Sequence, residues 1–340
     1  MGQDLGQNVH TVGFMLVDQF SMIALSACVE PLRLANYVTG QKLFAWRFYS
    51  KDREPVEASN GIRVTVEGSF AEIGPLPDVI VCGGIDIHRT VSRELLARLR
   101  RLALYGTSIG AVCTGAYALA KAGLLDGYRC TIHWEAKEAL QEEFPELDVT
   151  DELFEVDRNR FTCAGGTAAI DMMLARIAAK AGPSVAALVT DNLIHHRQRE
   201  PDEHQRMQLR SRLGIANPRV LQVVETMERH VEAPLSCAEL ARAAKLSPRQ
   251  LERLFRRYFN ETPTRYYLRL RLNKARQLLL QTSMPILPIG LACGFVSASH
   301  FSKTYSDFFD RTPTEERSGI KARRRRPAPG GVEPDLEVAS

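Results

Sequence analysis

Over residues 10–195, short apolar runs alternate with stretches whose apolar residues recur at helical intervals. HTVGFMLV predicts a first strand. Residues 21–37 predict a helix, with Ile23, Ala27, Leu34 and, just beyond it, Val38 at helical spacing. FAWRFYS and IRVTVEG read as short strands. DVIVCGG, TSIGAV and FTCAGG are apolar without alternation, the pattern of strands buried on both faces of a parallel sheet. Two of these runs end in paired glycines, Gly83 with Gly84 and Gly165 with Gly166, where a strand meets a ligand-facing loop. Helices are predicted over residues 92–103, over YALAKAGLL, stopped by Asp126 and Gly127, and over residues 167–180. Strands and helices alternating at this spacing predict an α/β layered fold with a mostly parallel sheet.

The pattern then changes. Residues 184–197 read as helix, and the polar stretch HHRQREPDEHQRMQLRSRLGIANP reads as a linker centred on residues 201–218 or, for its N-terminal half, as an ordered helical extension of the first domain. From Arg219 onward the spacing is helical throughout. Within residues 235–313, LSCAELARAAKLSPRQLERLFRRYF and ILPIGLACGFVSASHFSKTYSDFF each read as a short helix, a tight turn and a second helix. That is the helix-turn-helix arrangement, which lays its second helix in the major groove of DNA. In the first unit Ser247 is placed to cap the second helix and Pro248 suits its first position. Leu251, Leu254 and Phe255 face inward. Arg249, Gln250 and Arg253 are then base-reading candidates, because Arg and Gln make paired hydrogen bonds to guanine and adenine. Glu252 shares that outer face, and Arg256 and Arg257 are placed to clamp phosphates. In the second unit Phe301, Tyr305 and Phe308 are expected to be buried or partly so, leaving Ala298, Ser299, His300 and Lys303 outside, a face suited to phosphate and apolar contacts. A long helix over residues 266–281 holds the two units apart.

Charge sharpens this division. Residues 219–326 hold 21 Lys and Arg against 10 Asp and Glu, a surplus of 11, so the rest of a chain of net charge +4 carries −7. A basic footprint confined to one end points to nucleic acid there. The tail after residue 319, with Arg323 to Arg326 and a Pro- and Gly-rich end, has too little apolar content to build a core. The polar start MGQDLGQNVH lacks the features of a signal peptide, and no run reaches the roughly 20 apolar residues of a membrane span. The seven cysteines show no paired spacing, which fits a reducing cytoplasm, and no Cys/His cluster suggests a metal. No cofactor is implied.

Cys113 follows the strand TSIGAV and precedes a helix. A residue at such an elbow stands on a sharp turn above the sheet, and the helix N-terminus beside it is expected to lower its thiol pKa. His133 follows in TIHW. The two are either a nucleophile with its base or a small core residue and an ordinary polar one.

The run LSPRQLERLFRRYFNETPTRYYLRLRLNKARQLL and the run GFVSASHFSKTYSDFFDRTPTEER resemble the DNA-binding domain of AraC/XylS-type transcription regulators, with Gly294, Phe295, Phe301, Phe308 and Pro313 at signature positions. By this resemblance Arg249, Glu252, Arg253, Ala298, Ser299 and Lys303 fall at groove-reading positions. VCTGAYALAKAGLLDGYRCTIHW resembles the elbow of the DJ-1/PfpI class, which implies a flavodoxin-like parallel-sheet sandwich with Cys113 at the elbow and His133 above it. Members with a reactive thiol carry a carboxylate where this chain has Ala24; Glu30 belongs instead to the EPLRLAN pattern. Together the halves resemble the GlxA-type subgroup, whose members imply a sensor of a small nitrogenous metabolite such as arginine, carnitine or glycine betaine. The expected division is a ligand-sensing domain over residues 8–198, a linker over 199–218, an all-α DNA-binding domain with two helix-turn-helix units over 219–318, and a tail over 319–340. Gly83, Gly84, Cys113, His133, Trp134, Gly165 and Gly166 are expected to line the ligand crevice, with Trp134 able to cover an ammonium group. The expected function is a DNA-binding activator, not an enzyme, working as a cytoplasmic homodimer joined through the first domain, with RNA polymerase as a partner. The alternative is a cysteine-dependent amidase or hydrolase fused to a DNA-binding domain.

Overall fold

The computed structural model describes residues 9–205, 209–282 and 284–318. The strands β1 (His10–Leu16), β2 (Phe44–Ser50), β3 (Gly68–Ser69), β4 (Asp78–Cys82), β5 (Ser108–Val112), β6 (Phe154–Asp157) and β7 (Arg160–Cys163) form one seven-stranded sheet in the order β6-β7-β5-β4-β1-β2-β3. Register is continuous through the middle, with Val81 between Met15 and Ala111. Every neighbouring pair is parallel except β6 and β7. The expected parallel sandwich is therefore corrected to a mixed sheet. The cause is local: only Arg158 and Asn159 separate β6 from β7, and so short a turn can join only antiparallel strands.

Alternation along the buried strands sends side chains to both faces. Phe14, Leu16, Ile80 and Phe161 pack under α1 (Met22–Thr39) and, later in the chain, the helices over Ala168–Ala181 and Pro183–Asn192. Met15, Val79, Val81 and Ile109 pack on the other side under α2 (Arg93–Leu104), α3 (Ala116–Lys121) and α4 (Trp134–Glu143). The helices over Ala168–Ala181 and Pro183–Asn192 are α5 and α6. Ala24 lies on α1 with no exposed surface.

The C-terminal region is helical: α7 (Pro218–Arg229), α8 (Cys237–Ala243), α9 (Pro248–Phe259), α10 (Pro263–Gln281), α11 (Ile286–Ala292), α12 (Ala298–Phe309) and α13 (Pro313–Ser318). It contains at least one helix-turn-helix motif, α8 and α9, and α11 and α12 repeat the helix, turn, helix order. α10 begins at Pro263, before the expected residue 266, because Thr262 caps it and Pro263 sets its first turn. It runs through two cores, one holding Leu240, Leu251 and Phe255, the other Ile289, Phe301 and Tyr305.

Arg271 of α10 fastens the second pair. Its Nε and Nη2 donate to the carbonyls of Cys293 and Gly294 at 2.8 and 2.6 Å, and its guanidinium lies 4.4 Å over the Phe295 ring. Those carbonyls end α11 without other helical partners. Arg271→Ala is expected to lower the stability of the helical region by about 2 kcal/mol, read as a shift of its urea midpoint. An unchanged midpoint would show that the turn holds without the clamp. The basic tail and residues 1–8 lie outside the described residues.

Candidate functional site

Three loops meet at the C-terminal ends of β4, β5 and β7. Cys113 stands at the top of β5 with φ of 59°, in the left-handed region that disfavours any side chain by about 1–2 kcal/mol. The neighbouring loops hold it there by close backbone approach. A Cβ on Gly83 would lie 2.2 Å from the Gly115 nitrogen, and one on Gly165 would lie 2.8 Å from Cys113 Cα. Only glycine permits such contacts. Gly84 is required likewise, since a Cβ there would meet the Gln19 carbonyl at 1.7 Å, and its own carbonyl accepts from Thr114 Oγ1 at 2.7 Å. Gly166, at φ of 56°, completes the third loop. The glycine pairs serve first to bring the three strand ends together around the cysteine.

The Cys113 thiol does not have the lowered pKa expected of an elbow cysteine. Burial pushes it up to about 11, against a smaller opposing effect from the Thr114 backbone N–H, and the charge of Glu135 raises it further. The 3-10 turn Cys113–Gly115 intervenes before α3, so no full helix terminus points at the sulfur. The thiol is neutral at physiological pH. Labelling of Cys113 by iodoacetamide at neutral pH is expected to run about 100-fold slower than for free cysteine, accelerating as pH rises toward 11. Labelling at the rate of free cysteine, followed by peptide mass spectrometry, would contradict this.

His133 does come to Cys113. Its backbone N–H donates to the Cys113 carbonyl at 3.2 Å, and it serves as the N-cap of α4. Its Nδ1 accepts from the Glu135 N–H at 3.4 Å, which leaves the proton of the neutral ring on Nε2. Burial lowers its pKa, with Glu135 pulling the other way. In this tautomer Nε2 donates. No hydrogen bond joins the two side chains among the described residues. Trp134 stacks against His133 at 5.7 Å and also lines a cleft with Tyr266, Leu270 and Gln277 of α10. Glu30 sits on the surface, paired with Arg33 at 2.7 Å.

α4 leads from this crevice into the C-terminal region. Ala139 is buried among Leu272, Ala275 and Ile289, and Glu138 pairs with Lys274 at 3.0 Å. Farther off, the Arg89 guanidinium donates to the Arg317 carbonyl.

The first part of the stretch read as linker is packed, not loose. Asp171 of α5, fully buried, accepts from His195 Nε2 at 2.9 Å and from the Arg199 backbone and Nε at 2.7 and 2.9 Å. The Leu153 N–H donates to the Pro201 carbonyl at 3.0 Å. Gln205 Nε2 donates to Thr131 Oγ1 and to the Ile132 carbonyl, both at 2.9 Å. The order of this half was one of two readings the sequence allowed, but a polar composition without periodicity hid the partners of these residues.

At the other end, Arg249, Gln250, Glu252, Arg253 and Arg256 line one concave, open face of α9. Gln250 is partly spoken for: its Oε1 accepts from the Ser247 N–H at 2.9 Å in a capping box, so only its amide N–H groups remain for DNA. Arg256 is tied to Glu252 at 2.8 Å. Arg257 is exposed beside Tyr258. On α12, Ala298, Ser299, His300 and Lys303 are all exposed, with the His300 ring edge-on to Phe295. Val296, 89% exposed in the turn before α12, was not anticipated.

Residues 10–179 match the DJ-1/PfpI family and residues 240–319 a helix-turn-helix domain. The HTH-type transcriptional regulator GbdR of Pseudomonas aeruginosa is 46% identical over 313 residues, covering 92% of this chain and 85% of its own. The HTH-type transcriptional regulator GlxA of Rhizobium meliloti is 38% identical over 308 residues, covering 90% and 95%. The chain belongs to the AraC/XylS-type regulators that carry a DJ-1/PfpI domain. Within them it is close to the GlxA subgroup. This AraC-type protein is a transcription regulator that binds DNA through its helix-turn-helix domain. The expectation that its first domain is no enzyme is corrected by a third relative. Isonitrile hydratase of Pseudomonas putida is 31% identical over 179 residues, covering 52% of this chain and 75% of its own, so the domain is shared with a catalyst. Among the described residues no group of His, Cys, Asp and Glu could hold a metal ion, and no helix is long and apolar enough to cross a membrane.

Proposed function

We propose that this AraC-type regulator is an activator gated by a small nitrogenous metabolite of the betaine, carnitine or arginine kind. The ligand occupies the crevice framed by Gly83, Gly84, Cys113, His133, Gly165 and Gly166, with Trp134 behind His133. One observation carries the reading. α4 is capped by His133 on the Cys113 carbonyl and meets the helical region through buried Ala139 and through Glu138, which pairs with Lys274 at the surface. A shift at the crevice therefore moves a rigid element that also packs against α10. A ligand changes the equilibrium only as far as it favours one arrangement over the other.

The sensing domain spans residues 8–198, the connection 199–218 and the DNA-binding domain 219–318. Arg249 and Arg253 of α9 read bases, with the amide N–H groups of Gln250 beside them, while Arg256 and Arg257 hold phosphates. Both helix-turn-helix units engage the duplex; Ala298, Ser299, His300 and Lys303 present the second, weaker reading face, with Val296 at its edge. Exposed Ile23, Tyr37 and Leu188 on α1 and α6 favour a homodimer through the first domain. RNA polymerase is the downstream partner. A thermal shift screen of glycine betaine, carnitine and arginine tests the effector class: a ligand at about 100 times its Kd adds ~2.7 kcal/mol of apparent stability. No shift with any of them would defeat it.

A further inference from the structure

We propose that Arg199 is the carboxylate-binding group of the effector site, and that the chain joining the two halves of the protein forms the outer wall of that site. This rests on the reading of the crevice as an effector site and names the ligand class it takes: a zwitterion, whose carboxylate meets Arg199.

The course of the chain supports the assignment. Arg199 Nη2 donates to Thr167 Oγ1 at 3.0 Å, and Thr167 directly follows the Gly165–Gly166 loop that presses on Cys113. Six residues later Gln205 bonds the carbonyl of Ile132, the residue before His133. Residues 199–205 thus run from one rim loop of the crevice to the other, bonded on the way to Leu153 beside the sheet edge.

Arg199 is held as a recognition group would be. Its backbone N–H and Nε donate to Asp171, which has no exposed surface, and Nη2 lies 2.7 Å from the same carboxylate. That fixes the guanidinium plane, while about a quarter of the side chain, 26%, stays exposed. Nη1 makes no hydrogen bond among the described residues, so its N–H groups remain to donate to the oxygen of an anion. Asp171 engages Nε and Nη2 only, and the other acid on the segment, Glu203, is gripped by Arg197 at 2.5 and 2.8 Å and by the Glu200 N–H at 2.9 Å. Cys113 adds no competing charge, since its thiol is neutral. Glu135, whose N–H donates to the His133 ring, brings an acid to the His133 rim of the crevice. A cation on one side and an acid on the other suit a dipolar ligand. Binding it would bond the effector to the connection between the domains as well as to α4.

The test is calorimetry on the full-length chain with two ligand pairs, glycine betaine against choline and arginine against agmatine, each differing by the carboxylate. The wild type is expected to bind at least one acid about tenfold or more tightly than its carboxylate-free partner. Arg199→Gln is expected to erase that preference while leaving the carboxylate-free ligand within about twofold, and Arg199→Lys to keep it in weakened form. Gln205→Ala loosens the same chain segment at its other end without touching Arg199 or Glu203 and is expected to keep the preference, which separates recognition from a purely structural role. Retention of the full preference by Arg199→Gln, or a wild type that binds both members of each pair equally, would overturn the assignment alone. A wild type that binds none of the four would overturn both the assignment and the effector reading beneath it.

Discussion

Arg253→Ala is expected to weaken binding to operator DNA by about 1 to 3 kcal/mol and to relax base preference at one position, with little change on random DNA. Arg253 is exposed on the second turn of α9 and makes no ion pair among the described residues, so its guanidinium is available to a base edge. Its neighbours are less available: Arg256 is bound to Glu252, and the Gln250 carbonyl is used in capping. Arg257→Ala, on the same helix but farther along, is expected to weaken specific and random DNA alike and to lower the salt slope by about one. Competition titrations on an operator obtained by in vitro selection check both. Equal losses on the two kinds of DNA for Arg253→Ala would remove it from base reading.

Ala139→Arg is expected to uncouple the two halves. Ala139 is 5% exposed against Leu272, Ala275 and Ile289, and a long charged side chain cannot be accommodated there without parting α4 from α10. The crevice lies at the other end of α4, so effector affinity should change little. What should vanish is the effector-dependent change in DNA affinity, about 1 to 3 kcal/mol for a typical coupling. Calorimetry for the effector and anisotropy for DNA, on the same preparation, separate these. Coupling that survives would place transmission elsewhere, with the segment at Arg199 the next element to test.

The sequence revealed those parts of the fold where one interaction dominates. The strands β4, β5 and β7 are buried on both faces, so their apolar runs stand out, and the glycine pairs mark where their ends converge. The cap at Ser247 and the inward positions Leu251, Phe255, Phe301 and Tyr305 follow from local rules and were legible one by one, whereas Phe308 is exposed and Phe309 packs on the core in its place. The edge strand β6 was not: FEVD is short, and its partner is set by a two-residue turn that carries no glycine signal, Arg158 taking φ of 55° itself. The thiol pKa of Cys113 was misjudged because burial by three converging loops outweighs the local backbone, and only the folded chain shows that burial. Arg199 escaped notice for a related reason. Its role depends on Asp171, a residue 28 positions away on a helix whose apolar spacing gives no hint of a buried acid.

The most direct measurement is the affinity of the full-length protein for its selected operator, by fluorescence anisotropy, with and without saturating glycine betaine, carnitine or arginine. At least one of these is expected to shift Kd by about 5- to 150-fold, and Ala139→Arg is expected to abolish that shift. An operator affinity that none of the three changes, in a protein that binds one of them, would contradict gating by the first domain.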